Sequence, residues 1–307
     1  MREEVAMNVK DKRWFLGLRM ILLTGLLLIG SALCVHAETE EDFQLIPDYN
    51  DGSLEIKYKA TGEHVCHLWI EDEIIVPKIA VEGNDIYFTT YSQIGTSDVA
   101  NCTLRCFNTV DQEVIDLELH LPGSYWQYQI DFIYDGGVFM TGMTSSDEAG
   151  SYRYDMNGDY VKKIADGGIS YHYKQYVVCD PTCVLGSYAP YTVYVYNADT
   201  GKTKTVMTNT AKVSPSGKYL YLAKMKKVNY SPGTKKSTYQ IVRYRLTTGK
   251  RKTLVPAFKG YHITKITGKY IYYVWEKGGN NRYYRYTIAT KKKKRISFAT
   301  YKKVMVG

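Results

Sequence analysis

The sequence predicts an all-β protein, a β-propeller of six four-stranded blades closed by its N- and C-terminal strands. Three observations carry that expectation: a hairpin that recurs along the chain, an apolar strand that recurs upstream of it, and the lack of any sustained helical stripe after Glu38. The composition agrees, because 30 of 307 residues are tyrosine. Tyrosine suits a half-buried pleat, where the ring packs and the hydroxyl reaches water.

The hairpin is clearest in three segments that superpose without gaps: "YNADTGKTKTV" from Tyr196, "YRLTTGKRKTL" from Tyr244 and "YTIATKKKKRI" from Tyr286. Each has Tyr, then Thr four places on, a turn, and a basic strand. Looser copies start at Tyr58 ("YKATGEHVCHLW") and Tyr154 ("YDMNGDYVKKI"). Thr-Gly and Asn-Gly occupy the turn because a residue there takes positive φ.

The second unit is a turn followed by an apolar or aromatic strand: "EGNDIYFTTY", "DGGVFMTGM", "KQYVVCD", "SGKYLYLAK" and "TGKYIYYVW". Its turn position falls at Gly83, Gly136, Lys174, Gly217 and Gly268, at intervals of 53, 38, 43 and 51 residues. Those intervals suit a four-stranded blade. Five units account for roughly residues 78–300. The piece from Phe43 to Glu71 reads as the last strands of a blade and "YKKVMVG" as a first strand, so that both chain ends would complete a sixth blade and remove the open sheet edge.

At this point the residues resemble a known family. "AKVSPSGKYLYLA" (Ala211 to Ala223) resembles the "WSPDG" repeat of TolB-like propellers, and "NDIYFTT" and "GKYIYYVW" resemble the "IYWTD" strands of propellers of the low-density-lipoprotein-receptor type. The chain is similar to the tyrosine-rich exported propeller domains of Gram-positive bacteria. Val213, Ser216 and Thr90 depart from the Trp, Asp and Asp of those motifs, so the resemblance implies the fold and a binding or scaffold role but transfers no site.

Lys10, Lys12, Arg13 and Arg19 precede the apolar run Met20 to Val35, and "VHA" ends at Ala37. This is the pattern of a signal peptide, residues 1–37, followed by a single propeller domain, residues 38–307. An uncleaved anchor is the alternative, and a break near Tyr160 is the alternative to one domain. Either leader reading places the protein outside the cytoplasm, secreted or at the cell envelope.

The net charge of +9 conceals a division. From Glu38 to Tyr160 there are 5 basic and 24 acidic residues; from Val161 to Gly307 there are 30 basic and 4 acidic. Asymmetry of this size points to a polyanionic partner or to electrostatic docking. The candidate binding residues are Lys250, Arg251 and Lys252 of one hairpin, Lys291, Lys292, Lys293, Lys294 and Arg295 of the next, and Tyr283 and Tyr284 beside them. An anionic cell-envelope polymer or a protein partner fits. With an export leader no nucleic-acid partner is expected, and membrane contact is at most peripheral or through an uncleaved leader. Two other roles fit the same lysines: guarding an outer strand against edge-to-edge pairing, and head-to-tail self-association of acidic and basic halves.

Catalysis and metals have weaker support. No G-x-S-x-G, H-E-x-x-H or glycine-rich phosphate loop occurs, and no cofactor is expected. His120, His172 and His262 are the candidates if the central channel holds a lactonase-, lyase- or glycosidase-type site. "YDMNGDYV" resembles a calcium loop yet lacks the twelfth-position Glu, and its place in the repeat makes it a hairpin turn. Cys179 and Cys183 could close a small loop across Pro181, whereas Cys102 and Cys106, four apart on a strand, lie about 13 Å apart.

Overall fold

The computed structural model describes residues 42–48, 50–92, 102–117, 127–143, 149–180, 190–226, 235–276 and 278–306. The leader, His120 and Cys183 lie outside the described residues.

The chain is a propeller of antiparallel meanders. The first sheet has three strands, β1 (Phe43–Pro47), β2 (Leu54–Tyr58) and β3 (His64–Leu68). The second is β4 (Glu73–Glu82), β5 (Asp85–Ser92), β6 (Cys102–Asn108) and β7 (Glu113–Leu117); the third is β8 (Gln127–Tyr134), β9 (Gly137–Met143), β10 (Ala149–Asp155) and β11 (Tyr160–Asp166). Then follow β12 (Gly168–Tyr173), β13 (Tyr176–Asp180), β14 (Tyr191–Asn197), β15 (Lys202–Ser216), β16 (Tyr219–Met225), β17 (Ser237–Arg245) and β18 (Arg251–Gly260). Strand β15 serves two blades. Its start pairs with β14 (Asn197↔Lys202) and its end with β16 (Ser216↔Tyr219), the change falling at the fully buried Thr210. The last sheet is β19 (His262–Ile266), β20 (Tyr270–Trp275), β21 (Arg282–Thr287) and β22 (Lys293–Ile296).

Both repeated units land where the sequence puts them. The turn residues Gly83, Gly136, Lys174, Gly217 and Gly268 join the first and second strands of successive blades. Lys174 takes φ 53°, close to the 63° of Gly83 and 62° of Gly136, so one lysine accepts the left-handed conformation that glycine supplies elsewhere. The hairpin tyrosines Tyr154, Tyr196, Tyr244 and Tyr286 are buried, and each belongs to an apolar cluster shared by neighbouring sheets. Such clusters join each sheet to the next in chain order, so the charge division of the sequence becomes an acidic side and a basic side of the molecule.

The C-terminal segment differs from expectation. It is not a strand completing the first blade but a helix, α1 (Phe298–Val306). Ser297 caps it: the Thr300 amide donates to Ser297 Oγ at 3.2 Å and the Tyr301 amide to the Ser297 carbonyl at 3.0 Å. Phe298 and Tyr301, three apart and therefore on one helical face, pack on Tyr283 with ring centroids 5.3 and 4.5 Å away. Lys265 Nζ donates to the Val304 carbonyl near the other end. The first blade thus shows three strands, its hairpin at Tyr58 occupying the place of the outermost turn in the other blades.

Candidate functional site

The basic candidates occupy equivalent positions on three successive blades. In each, the hairpin tyrosine faces the same point of the outermost strand: Tyr196↔Thr203, Tyr244↔Arg251 and Tyr286↔Lys293. Lys202, Lys204, Arg251, Lys252, Lys293, Lys294 and Arg295 are all exposed along these strands, and Lys250, Lys291 and Lys292 are exposed in the turns before them. Lys291 takes φ 56° where Gly201 and Gly249 take 64° and 66°. The lysine run is therefore one of three matching turns, enriched in charge.

Little neutralises this rim. Among the described residues, no carboxylate lies within ion-pair distance of these ten cations. All four acids of the basic half are engaged elsewhere. Asp166 pairs with Lys163 at 2.6 Å, Asp180 accepts from Ser170 Oγ at 2.6 Å, Asp199 accepts from Tyr134 at 3.1 Å, and Glu276 lies 3.2 Å from His262 Nδ1. Register adds to the excess, for Lys252 faces Arg243 and Lys294 faces Arg285 across the sheet. Like charges so placed oppose folding. Arg243 and Arg285 are held over the rings of Tyr219 and Tyr270, at 4.7 and 4.6 Å, which leaves the outer lysines facing solvent.

Tyr283 and Tyr284 flank the run but are half-buried. Tyr283 carries α1, as above, and Tyr284 stacks on Tyr273 at 5.2 Å. Among the rim cations Lys293 lies over the Phe258 ring at 5.9 Å, and nearby the Arg282 guanidinium sits over Trp275 at 4.6 Å.

A second feature is a cleft of about 660 Å³ at the centre, where β1, β4, β8 and β12 converge. Its polar centre is Asp131, 7% exposed, which is ion-paired to Lys78 and accepts from Thr141 Oγ1 at 2.6 Å and Gln129 Nε2 at 3.3 Å. Burial pushes the Asp131 carboxyl above its ordinary value, against the pull of Lys78, Thr141 and Gln129. His172 lies flat against Phe132 at 4.1 Å, and Phe132 against Phe139 at 4.5 Å, so the histidine extends an aromatic stack into the cleft.

His262 sits at the start of the last blade with its proton affinity lowered by burial, Glu276 acting against that. Among the described residues no group of histidines, cysteines and carboxylates could hold a metal ion. Asp155 instead caps its own hairpin, accepting from the Asn157 and Asp159 amides at 2.9 Å each. Glu73 starts β4 and forms a 3.0 Å ion pair with Arg105. Cys66, Cys102 and Cys106 are buried free thiols, and Cys179 is buried on β13.

Sequence reading missed the hydroxyls that fasten blade to blade. Thr89 Oγ1 donates to the Tyr128 carbonyl at 2.9 Å, Thr141 Oγ1 accepts from the Ile169 amide at 2.9 Å, and Ser214 Oγ accepts from the Ile266 amide at 2.9 Å. The signal was available: Thr89 and Thr141 hold the same place in the aligned strands "IYFT" and "VFMT".

No family model matches the chain, and no curated protein matches it. Among solved structures it is similar to an oligogalacturonate lyase in complex with manganese, with 11% identity, TM-score 0.48, and 80% of this chain and 74% of that one covered. It is also similar to the β-propeller domain of the trilobed protease from Pyrococcus furiosus (11% identity, TM-score 0.42, 83% and 78% covered). TolB from Acinetobacter baumannii is a third (14% identity, TM-score 0.37, 82% and 62% covered). These likenesses concern fold alone.

Proposed function

We propose that the protein is an exported, noncatalytic binding propeller whose basic rim holds an anionic polymer of the cell envelope. The observation that supports this reading most is the set of ten exposed cations on three equivalent outer strands and turns, with the acids of their own half engaged elsewhere. A phosphate- or carboxylate-rich chain laid along the rim would relieve the like-charge pairs at Lys252/Arg243 and Lys294/Arg285. Each contact contributes little, is screened by salt, and counts through number.

A catalytic reading would draw on the central cleft. There Asp131 is already committed to Lys78 and Thr141, and His172 lies on Phe132, so neither is aimed at a shared reacting atom.

Retention on immobilised teichoic acid, measured as salt rises, tests the proposal. Binding at low salt and release before about 0.5 M, where the Debye length is about 4 Å, is the expected result. Lack of retention at low salt overturns the polyanion reading, and retention that survives about 0.5 M salt overturns its diffuse electrostatic mechanism.

A further inference from the structure

The acidic side has its own surface feature. Beside β7 lies a groove of about 310 Å³, walled by the carboxylates Asp85, Asp111 and Glu113 and floored by Ile115, Leu117 and Met156. No lysine or arginine lines it. Its negative field reaches the groups beneath: after burial, Asp85 is the next cause that raises the Cys106 thiol to about 11, and Asp85 also raises Tyr87.

The strand next to the groove is equally unusual. On the basic side the outermost strands carry lysine and arginine, a device that discourages edge pairing. On β7 the exposed residues include Val114 at 39% and Ile115 at 54%, Val110 in the preceding turn is 68% exposed, and on the neighbouring blade's outer strand Tyr160 and Val161 are 41% and 50% exposed. An apolar floor under three carboxylates suits a cation on an aliphatic stem, which describes a lysine or arginine side chain.

We infer that this groove is a docking site for the basic outer hairpin of a second copy of the chain, residues 291–296, giving head-to-tail association. Complementarity within the one sequence carries the inference. The groove contributes three carboxylates and the apolar side chains of Ile115, Leu117 and Met156, while the hairpin contributes five consecutive cations followed by Ile296 on a strand whose outer edge is unpaired. The groove lies on the second blade and the hairpin on the last, so the contact joins unlike surfaces. Such a contact grows as an open chain or closes only as a ring; it does not stop at a two-fold dimer. The hairpin is the one used by the polymer, so this inference rests on the basic rim being available and makes a soluble polyanion a competitor.

The test is the mass of the purified protein by light scattering or sedimentation as concentration rises, at low salt and at about 0.5 M, where charges are screened beyond about 4 Å. Mass should rise without a plateau at the dimer, and fall to the monomer in high salt. Asp111→Lys with Glu113→Lys should abolish association, as should Lys292→Glu with Lys294→Glu. All four side chains are exposed, so both variants should keep the wild-type melting temperature. Mixing the two variants pairs the intact hairpin of one with the intact groove of the other and should restore association above the monomer mass. A wild type that stays monomeric at low salt, a groove variant that assembles like the wild type, or a mixture that stays monomeric overturns the inference. Polymer retention separates the two ideas: the groove variant keeps its basic rim and should still bind teichoic acid, so loss of assembly with retention intact refers to the groove alone.

Discussion

Asp131→Ala is the sharpest test of how the central cleft is held together. Asp131 takes three donors from three strands: Lys78 on β4, Gln129 beside it on β8, and Thr141 on β9. Thr141 in turn accepts the Ile169 amide of β12, so one carboxylate ties together the inner strands of three blades. The magnitude follows from exposure. Lys78, with 37% of its side chain exposed, can recover water when its partner is removed, which places its loss near the low end. Thr141, 1% exposed, cannot; an orphaned buried hydroxyl costs about 1–3 kcal/mol, and removing one member of a buried ion pair costs about 3–5 kcal/mol. With Lys78 discounted, the loss is about 3 kcal/mol, a fall of about 6–12 °C in melting temperature for a domain of this size. Urea or thermal unfolding measures it. Asp131→Asn, which keeps an acceptor for Thr141, should recover at least half. The pH dependence has a definite sign. Burial raises this carboxyl above 3.8, so the folded state holds its proton more firmly, and the stabilisation that comes from holding that proton is present below 3.8 and lost as pH rises through the raised value, while the contacts to Lys78, Thr141 and Gln129 remain. Wild type should therefore lose stability relative to Asp131→Asn as pH is raised from about 3.8. If Asp131→Ala melts within about 2 °C of wild type, the network does not hold these blades.

Other consequences are simpler to check. Thr141→Val preserves shape but leaves the Ile169 amide without its acceptor, and should cost about 1–3 kcal/mol in urea unfolding while Thr141→Ser costs less. His262, lowered by burial, binds fewer protons folded than unfolded, so stability should fall as pH drops below 6.5, and His262→Gln should flatten that dependence in melting curves. Burial raises the thiols of Cys66 to about 12 and of Cys102 and Cys106 to about 11. Mass spectrometry after alkylation at pH 8 should find these three unlabelled in the native protein and labelled in urea.

The blade repeat was legible because its determinants are local. A left-handed turn residue followed by an alternating strand is written within a dozen residues, and even Lys174 and Lys291, which replace glycine, were placed correctly by register. The basic rim was legible for the same reason, since position on the outermost strand follows from the hairpin. What escaped reading connects one blade with the next. Asp131 and Lys78 are 53 residues apart, Ser214 and Ile266 are 52 apart, and Glu73 meets Arg105 across 32; no local pattern distinguishes them from other polar residues. The sheets are local but the cleft is not, because its walls come from inner strands contributed by four separate blades.

The C-terminal segment shows where period alone fails. "FATYKKVMV" is short enough for its apolar residues to satisfy either spacing: Val304 and Val306 alternate as in a strand, while Phe298, Tyr301 and Met305 are three and four apart as in a helix. Strand pairing would have had to bring the segment to the inner edge of the first blade. A helix needs only the adjacent blade, where Tyr283 presents a ring to Phe298 and Tyr301, Ser297 caps the first turn, and Lys265 reaches the Val304 carbonyl. Tyr283 and Ser297 are near in the chain and Lys265 belongs to the same blade, so the helix forms with less loss of loop entropy than ring closure, which would join the two ends of the domain. The same choice determines the cleft. With no inner strand supplied from the C-terminal segment, Phe43 and Leu45 of β1 themselves line the centre beside Lys78 and Asp131.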